Sequence, residues 1–265
     1  MQLIAKKDYN KVKPLFKNIK HSIPIVFSLL EGNSKGVIYV DNINKPQTAF
    51  IYLTDCFCYI VGNHLNTKFN EQLKDFIHNT YLPHLNNNEL IIFTFNKAWD
   101  LQLSCVLSDL KSIKIKRVVY DFDVSLFSKS TIDCQLPSDF CVKKYNGDNI
   151  KNLKLPVLSS WLSTEKFLQN GLAVFISYKT EIIAYCYSVY AGNNNVEIDI
   201  FTKEQHRGKG YATYLAKYFI NECLKKGLRP NWSCWPEKKS SMKIAVKLGF
   251  TNKQELPVHL WASDL

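Results

Sequence analysis

Two kinds of chemically capable residue lie close together near the C-terminal end of this 265-residue chain. The first is the carboxylate pair Glu197 and Asp199, within Val196-Glu197-Ile198-Asp199-Ile200-Phe201. Carboxylates of this kind bind cations and accept protons. The second is the segment Gln205-His206-Arg207-Gly208-Lys209-Gly210-Tyr211-Ala212. Glycines lack a Cβ, so an anion can approach the backbone closely, and a helix that starts here leaves its first N–H groups without partners. Arg207 adds a bidentate fork and Lys209 a point charge. The chemistry expected of the turn is therefore phosphate binding.

A strand and a helix must hold these groups. Residues 196–201 alternate and read as a strand, with Glu197, Asp199 and Phe201 on one face and Val196, Ile198 and Ile200 on the other. The apolar set belongs beneath a helix layer, so the acidic set points into a cleft or across the sheet. Beyond Gly210, the residues Ala212, Leu215, Ala216, Phe219, Ile220, Cys223 and Leu224 form one apolar stripe at helical spacing. Lys225 and Lys226 suit the negative end of the dipole, and Gly227 suits a left-handed cap.

The glycine spacing does not fit a dinucleotide fingerprint, since Thr213 fills the third glycine place and Arg229-Pro230 stands where an acid is needed. No Walker loop is present either. The pattern resembles the acetyl-CoA pyrophosphate loop of GNAT-type N-acetyltransferases, Gln/Arg-x-x-Gly-x-Gly/Ala. It is met twice, as Gln205-x-x-Gly208-x-Gly210 and as Arg207-x-x-Gly210-x-Ala212. Further on, Ser240-Ser241-Met242-Lys243-Ile244-Ala245-Val246-Lys247-Leu248-Gly249-Phe250 resembles the family's second helix, with its closing Lys-x-Gly-Phe signature. Within the superfamily, the stretches WLSTEKFLQNG, EIDIFT and LRPNWSCW look most like the branch that includes the zwittermicin self-resistance acetyltransferase.

The resemblance implies a mixed, mostly antiparallel α/β sheet flanked by helices. It also implies acetyl-CoA as cosubstrate, no metal, and direct transfer to a primary amine of a small molecule in a ternary complex. Donor contacts carried over by motif are Phe201 near the thioester, Gln205, Arg207, Gly208, Lys209, Gly210, Tyr211 and Ala212. An ammonium ion cannot attack a thioester until it loses a proton, which makes Glu197 and Asp199 the candidates for binding and deprotonating the amine. The Tyr that many relatives use as general acid is replaced by Ala245, leaving Ser241, Cys234 or a water for that task. The Asn that usually contacts pantetheine is replaced by Lys238.

Composition adds bounds. Charge is 34 − 23 = +11, but Lys and Arg are spread through both halves, as on a solvated basic surface. No basic run alternates with aromatics as single-strand nucleic-acid binders require. The cysteines at 56, 58, 105, 134, 141, 186, 223 and 234 form no C-x-x-C pair and read as reduced core residues. His64, His78 and His84 share no ligand spacing. With neither an N-terminal apolar region nor a run long enough to cross a bilayer, a cytoplasmic protein is expected.

In chain order, a helical stretch (Leu15, Phe16, Ile19, Ile23) is interrupted at Pro24 and stopped at Gly32. Val37–Val40 and Ala49–Val61 read as strands, followed by a helix capped by Asn70 and ended by Pro83. A polar turn at Asn86-Asn87-Asn88, a strand Leu90–Phe95, a helix over Trp99–Leu110 and a strand Ile115–Phe122 complete an α/β domain over 1–130. It carries no motif of its own; packing or homodimer formation is the simpler role, a degenerate acetyltransferase-like lobe the other. The acetyltransferase domain is placed at 131–265. It holds a strand at Phe140–Tyr145, helices at Asn149–Leu155 and Ser159–Leu168, a hairpin about Lys179-Thr180, and a last strand at Gln254–Trp261. Trp161 and Phe167 either wall the acceptor pocket or pack the sheet. Besides the small-amine enzyme, two readings stay open: an acetyltransferase of a protein or aminoacyl acceptor, and a non-catalytic acyl-CoA-binding protein.

Overall fold

Alternating apolar residues and well-placed caps decide most of the elements, which a computed structural model describes for residues 1–53, 57–84, 89–132, 135–146, 159–179 and 181–264. The turns expected at 86–88 and the helix expected at 149–155 lie outside the described residues, as do Cys56, Cys134 and Thr180.

Compactness divides the chain into two units that are threaded rather than cut in chain order near residue 130. One comprises 1–20, 35–118 and 255–265, the other 21–34 and 119–254. Helix α1 (Pro24–Leu30) belongs to the second unit because it packs on strand β9 (Glu181–Gly192). The fit is close: a Cβ at Gly192 would sit 2.3 Å from the Ser28 backbone nitrogen. Asn33 also donates to the Ala191 carbonyl at 3.0 Å.

In the first unit the strands run in the order β1 (Gln2–Leu3), β2 (Gly36–Val40), β3 (Thr48–Leu53), β4 (Phe57–Gly62), β5 (Glu89–Phe93) and the end of β12 (Phe250–Ala262). Helices α2 (Thr67–Phe76) and α3 (Lys97–Val106) complete it. Its core joins Phe50, Ile60, Phe69, Leu73, Trp99 and Leu103, all fully buried. Three expectations change here. Pro24 starts α1 instead of interrupting a helix, because a proline's missing N–H costs nothing at a first helical position. The apolar run 49–61 is two antiparallel strands, β3 and β4, not one. Asn66 caps α2 by accepting from the Phe69 N–H, while Asn70 lies inside it and donates to the His64 carbonyl.

The second unit carries the remainder of β12, then β6 (Ile113–Phe122, from Val119 onward), β11 (Arg229–Cys234), β10 (Asn195–Thr202), β9, β8 (Ala173–Tyr178) and β7 (Phe140–Lys144) in that order. Strands β7 to β10 pair antiparallel in sequence order, and β10 pairs with β11 in parallel. The helices are α4 (Val124–Lys129), α5 (Thr164–Asn170), α6 (Tyr211–Lys225) and α7 (Lys239–Lys247). The polar stretch after Asp123 contains α4, which Asp123 caps by accepting from the Ser125 and Leu126 N–H groups. Trp161 and Phe167 are each 1% exposed and meet edge to face at 5.3 Å, so packing is their role. Cys58, Cys186, Cys223 and Cys234 are buried, but Cys105 and Cys141 are exposed, which corrects the expectation of core cysteines for those two.

Candidate active site

Strand β10 and helix α6 take the places their sequences dictate, with the glycine turn between them. Gly208 (φ 75°) and Gly210 (φ 83°) both adopt left-handed backbone, which glycine alone enters at no steric cost. Gly210 is the N-cap residue of α6, and no side chain caps that end. A Cβ at Gly208 would meet nothing within 4 Å. Arg207 turns its Nε toward the Thr202 carbonyl at 3.0 Å, tying the loop to the end of β10. Tyr211 is buried against Phe140 (5.5 Å) and His206 (6.5 Å), which anchors the first helical turn. Thr202 Oγ1 and His206 Nδ1 are buried beneath the turn without a hydrogen-bond partner among the described residues. Gln205 and Lys209 are exposed, Ala212 half-buried.

Parallel pairing between β10 and β11 runs Asn195↔Arg229, Val196↔Pro230 and Glu197↔Asn231, and the ladder stops there although β10 continues to Thr202 and β11 to Cys234. Glu197 therefore stands where an edge of unpaired backbone opens. It is 3% exposed, accepting from Asn231 Nδ2 on one oxygen and from Ser233 Oγ on the other.

On the other side of β10, a bulge in β9 shifts the register from Glu197↔Tyr190 to Ile198↔Ser188, so Asp199 faces Tyr187 and Phe201 faces Tyr185. Asp199 is exposed and accepts from the Tyr187 hydroxyl at 3.0 Å. The Phe201 ring stacks on Tyr185 at 5.2 Å, so its side chain lies on the Asp199 face. Burial, with the nearby Asp199 charge, pushes the Tyr185 phenol above its ordinary value.

Strand β11 and helix α7 meet through Trp232, whose Nε1 donates to Ser241 Oγ at 3.0 Å. Lys238 is exposed at the N-cap of α7. Ala245, in the place of the expected tyrosine, is buried. Burial pushes the Cys186 and Cys223 thiols well above their ordinary values, leaving them protonated and poorly nucleophilic. Among the described residues no group of His, Cys, Asp and Glu is arranged to hold a metal ion. No helix among them is long and apolar enough to cross a membrane.

Sequence reading missed Asn231, Ser233, Tyr185 and Tyr187. Two apart on β11, Asn231 and Ser233 share a face, but only the register brings them to Glu197.

Comparison with known proteins fits this arrangement. The profile of the GNAT acetyltransferase family matches residues 13–259, so the chain belongs to that family and is an N-acetyltransferase of GNAT type. An uncharacterized N-acetyltransferase of Bacillus subtilis (strain 168), YdfB, is 27% identical over 264 residues, 98% of each chain. The crystal structure of a GCN5-related N-acetyltransferase-like protein from Streptococcus suis superposes with a TM-score of 0.70 at 24% identity, over 96% of this chain and 98% of that one. A tandem GNAT protein from the clavulanic acid biosynthesis pathway superposes with a TM-score of 0.61 at 8% identity, covering 98% and 97%. These last two likenesses are of fold.

Proposed function

We propose that this chain transfers the acetyl group of acetyl-CoA directly to a primary amine of a small molecule, both substrates being bound together. The observation that carries the reading is the opening of the β10–β11 ladder at Glu197, on the strand that leads to the Gly208–Gly210 turn. The turn suits a diphosphate: two left-handed glycines, open space where a side chain would project, and a helix end with no side-chain cap. The N–H groups of Tyr211, Ala212 and Thr213 would hold phosphate oxygens, with Arg207 and Lys209 adding charge. The edge of residues 198–202 that β11 leaves open would run beside the pantetheine arm, with Lys238 at its far side.

Glu197 acts as the base. Positioned by Asn231 and Ser233, it takes the proton that an ammonium ion must lose, directly or through water. The amine nitrogen then forms a bond to the acetyl carbon as the carbon–sulfur bond breaks; the nitrogen sheds its second proton to water, and the leaving thiolate takes one from water. Ser241 accepts from Trp232 through its oxygen, so its own O–H can donate a hydrogen bond to the sulfur. Protonated, buried Cys186 and Cys223 favour this direct route over an acyl-enzyme.

The test is thiol release from acetyl-CoA with a panel of primary amines. Glu197→Gln is expected to lower kcat by about 10² to 10⁴ while acetyl-CoA still binds. Unchanged turnover at neutral pH would remove Glu197 from the role; tight binding without turnover of any amine would favour a non-catalytic acyl-CoA-binding protein.

A further inference from the structure

Asp199 differs from the ion-paired carboxylates Glu222, Asp100 and Glu181 in its surroundings. Glu222 pairs with Lys144 and Lys225, Asp100 with Lys114, and Glu181 with Lys203. Among the described residues no lysine, arginine or histidine pairs with Asp199, although the chain carries 34 Lys and Arg against 23 Asp and Glu. Its two hydrogen bonds fix the carboxylate instead: Tyr187 Oη donates to Oδ2 at 3.0 Å and the Ile200 N–H to Oδ1 at 2.8 Å. An ionised carboxylate offers about four acceptor sites, so two donors leave capacity for a cation arriving from solvent.

What lies beside it is flat and apolar. One step along the same face of β10, Phe201 stacks on Tyr185 with 23° between the rings and remains 40% exposed. Tyr185 leans on Tyr187 at 5.8 Å. Residues two apart on a strand are separated by about 7 Å, roughly the distance from an ammonium group through a short carbon spacer to the far side of an aromatic ring.

We infer that Asp199, Tyr187, Tyr185 and Phe201 form the acceptor subsite and that its ligand is an arylalkylamine, a primary ammonium group joined by a two- or three-carbon spacer to an aromatic ring. The ammonium sits on Asp199, two residues along the strand from Glu197, and the ring lies on Phe201 and Tyr185. The inference rests on the acyl-transfer reading for its purpose, but the binding it describes needs no turnover.

The experiment is a fluorine NMR titration of 4-fluorophenethylamine into the full chain saturated with CoA, and again without CoA, with n-butylamine as competitor. The aryl amine should bind about tenfold more tightly than butylamine, as expected when aromatic contact adds to a shared charge interaction. Phe201→Ala, or Phe201→Leu should the alanine variant fold poorly, should remove that difference. Asp199→Asn should weaken both amines by about tenfold or more, the usual worth of a hydrogen bond to a charged group. Equal affinities, no binding of the aryl amine, or a preference that survives loss of the Phe201 ring would overturn the inference. Failure of the parent reading shows elsewhere, as no calorimetric heat for acetyl-CoA.

Discussion

Replacing Gly208 by alanine separates the cost of a strained backbone from the loss of an anion site. At φ 75° an L-residue is strained whatever space surrounds it, and the penalty is about 1–2 kcal/mol. No further packing cost arises, because the new Cβ would meet no protein atom within 4 Å. Stability measured by denaturant should therefore fall by about 1–2 kcal/mol and no more. The same methyl group would stand in the space through which a diphosphate must approach the amides at the start of α6. Loss of one charge-assisted hydrogen bond there is worth about 1.5–3 kcal/mol, a rise of about 10- to 150-fold in the calorimetric Kd for acetyl-CoA. A Kd within about twofold of the parent, beside the expected stability loss, would refute the diphosphate cradle.

Other perturbations test the frame around the site. Gly192→Ala should destabilise the second unit by about 1–3 kcal/mol in denaturant titrations, since its Cβ would lie 2.3 Å from the Ser28 nitrogen and 2.4 Å from the Phe27 carbonyl carbon. Stability should also fall in mild acid. Burial lowers the pKa of His259 against the opposing pull of Asp100, which its Nε2 meets at 2.9 Å. The unfolded chain then binds a proton near pH 6.5 that the folded chain refuses, so stability is lost as pH drops through that value. Asp100 works in the same direction lower down. Burial raises its pKa, but Lys114 and His259 outweigh this and hold it below 3.8, so its contribution is present above that value and lost beneath it. His259→Asn should flatten part of the slope between pH 7.5 and 5; His21, also lowered by burial, keeps the rest.

Much of this was legible in the residues, for local reasons. The glycine turn, the stripe of α6 and the strand before it are specified by neighbours in sequence, and the structure places them where periodicity does. Errors arose where a residue type has two meanings. Pro24 both ends and begins helices, Asn70 has a competing cap four residues upstream in Asn66, and the continuous apolar run 49–61 does not reveal where it folds back on itself. The threading of residues 21–34 into the second unit depends on Gly192 having no side chain, which becomes informative only when Phe27 and Ser28 are known to lie against it.

The acceptor face was illegible for a different reason. Simple alternation along β9 puts Tyr185 and Tyr187 on one face and Tyr190 on the other. The bulge leaves Val189 without a partner in the β10 register, and the strand changes face at that point. Tyr190 then stands opposite Glu197, Tyr187 opposite Asp199 and Tyr185 opposite Phe201, all on one side of the sheet, because directly opposed residues share a face. A period of two cannot bring three tyrosines at 185, 187 and 190 together. One unpaired residue does, and it lies level with the position where β10 and β11 cease to pair on the opposite edge. The strand that carries both carboxylates is thus irregular on both of its edges at Glu197. That coincidence makes Glu197 the meeting point of an opening toward the glycine turn and a face lined with aromatic rings.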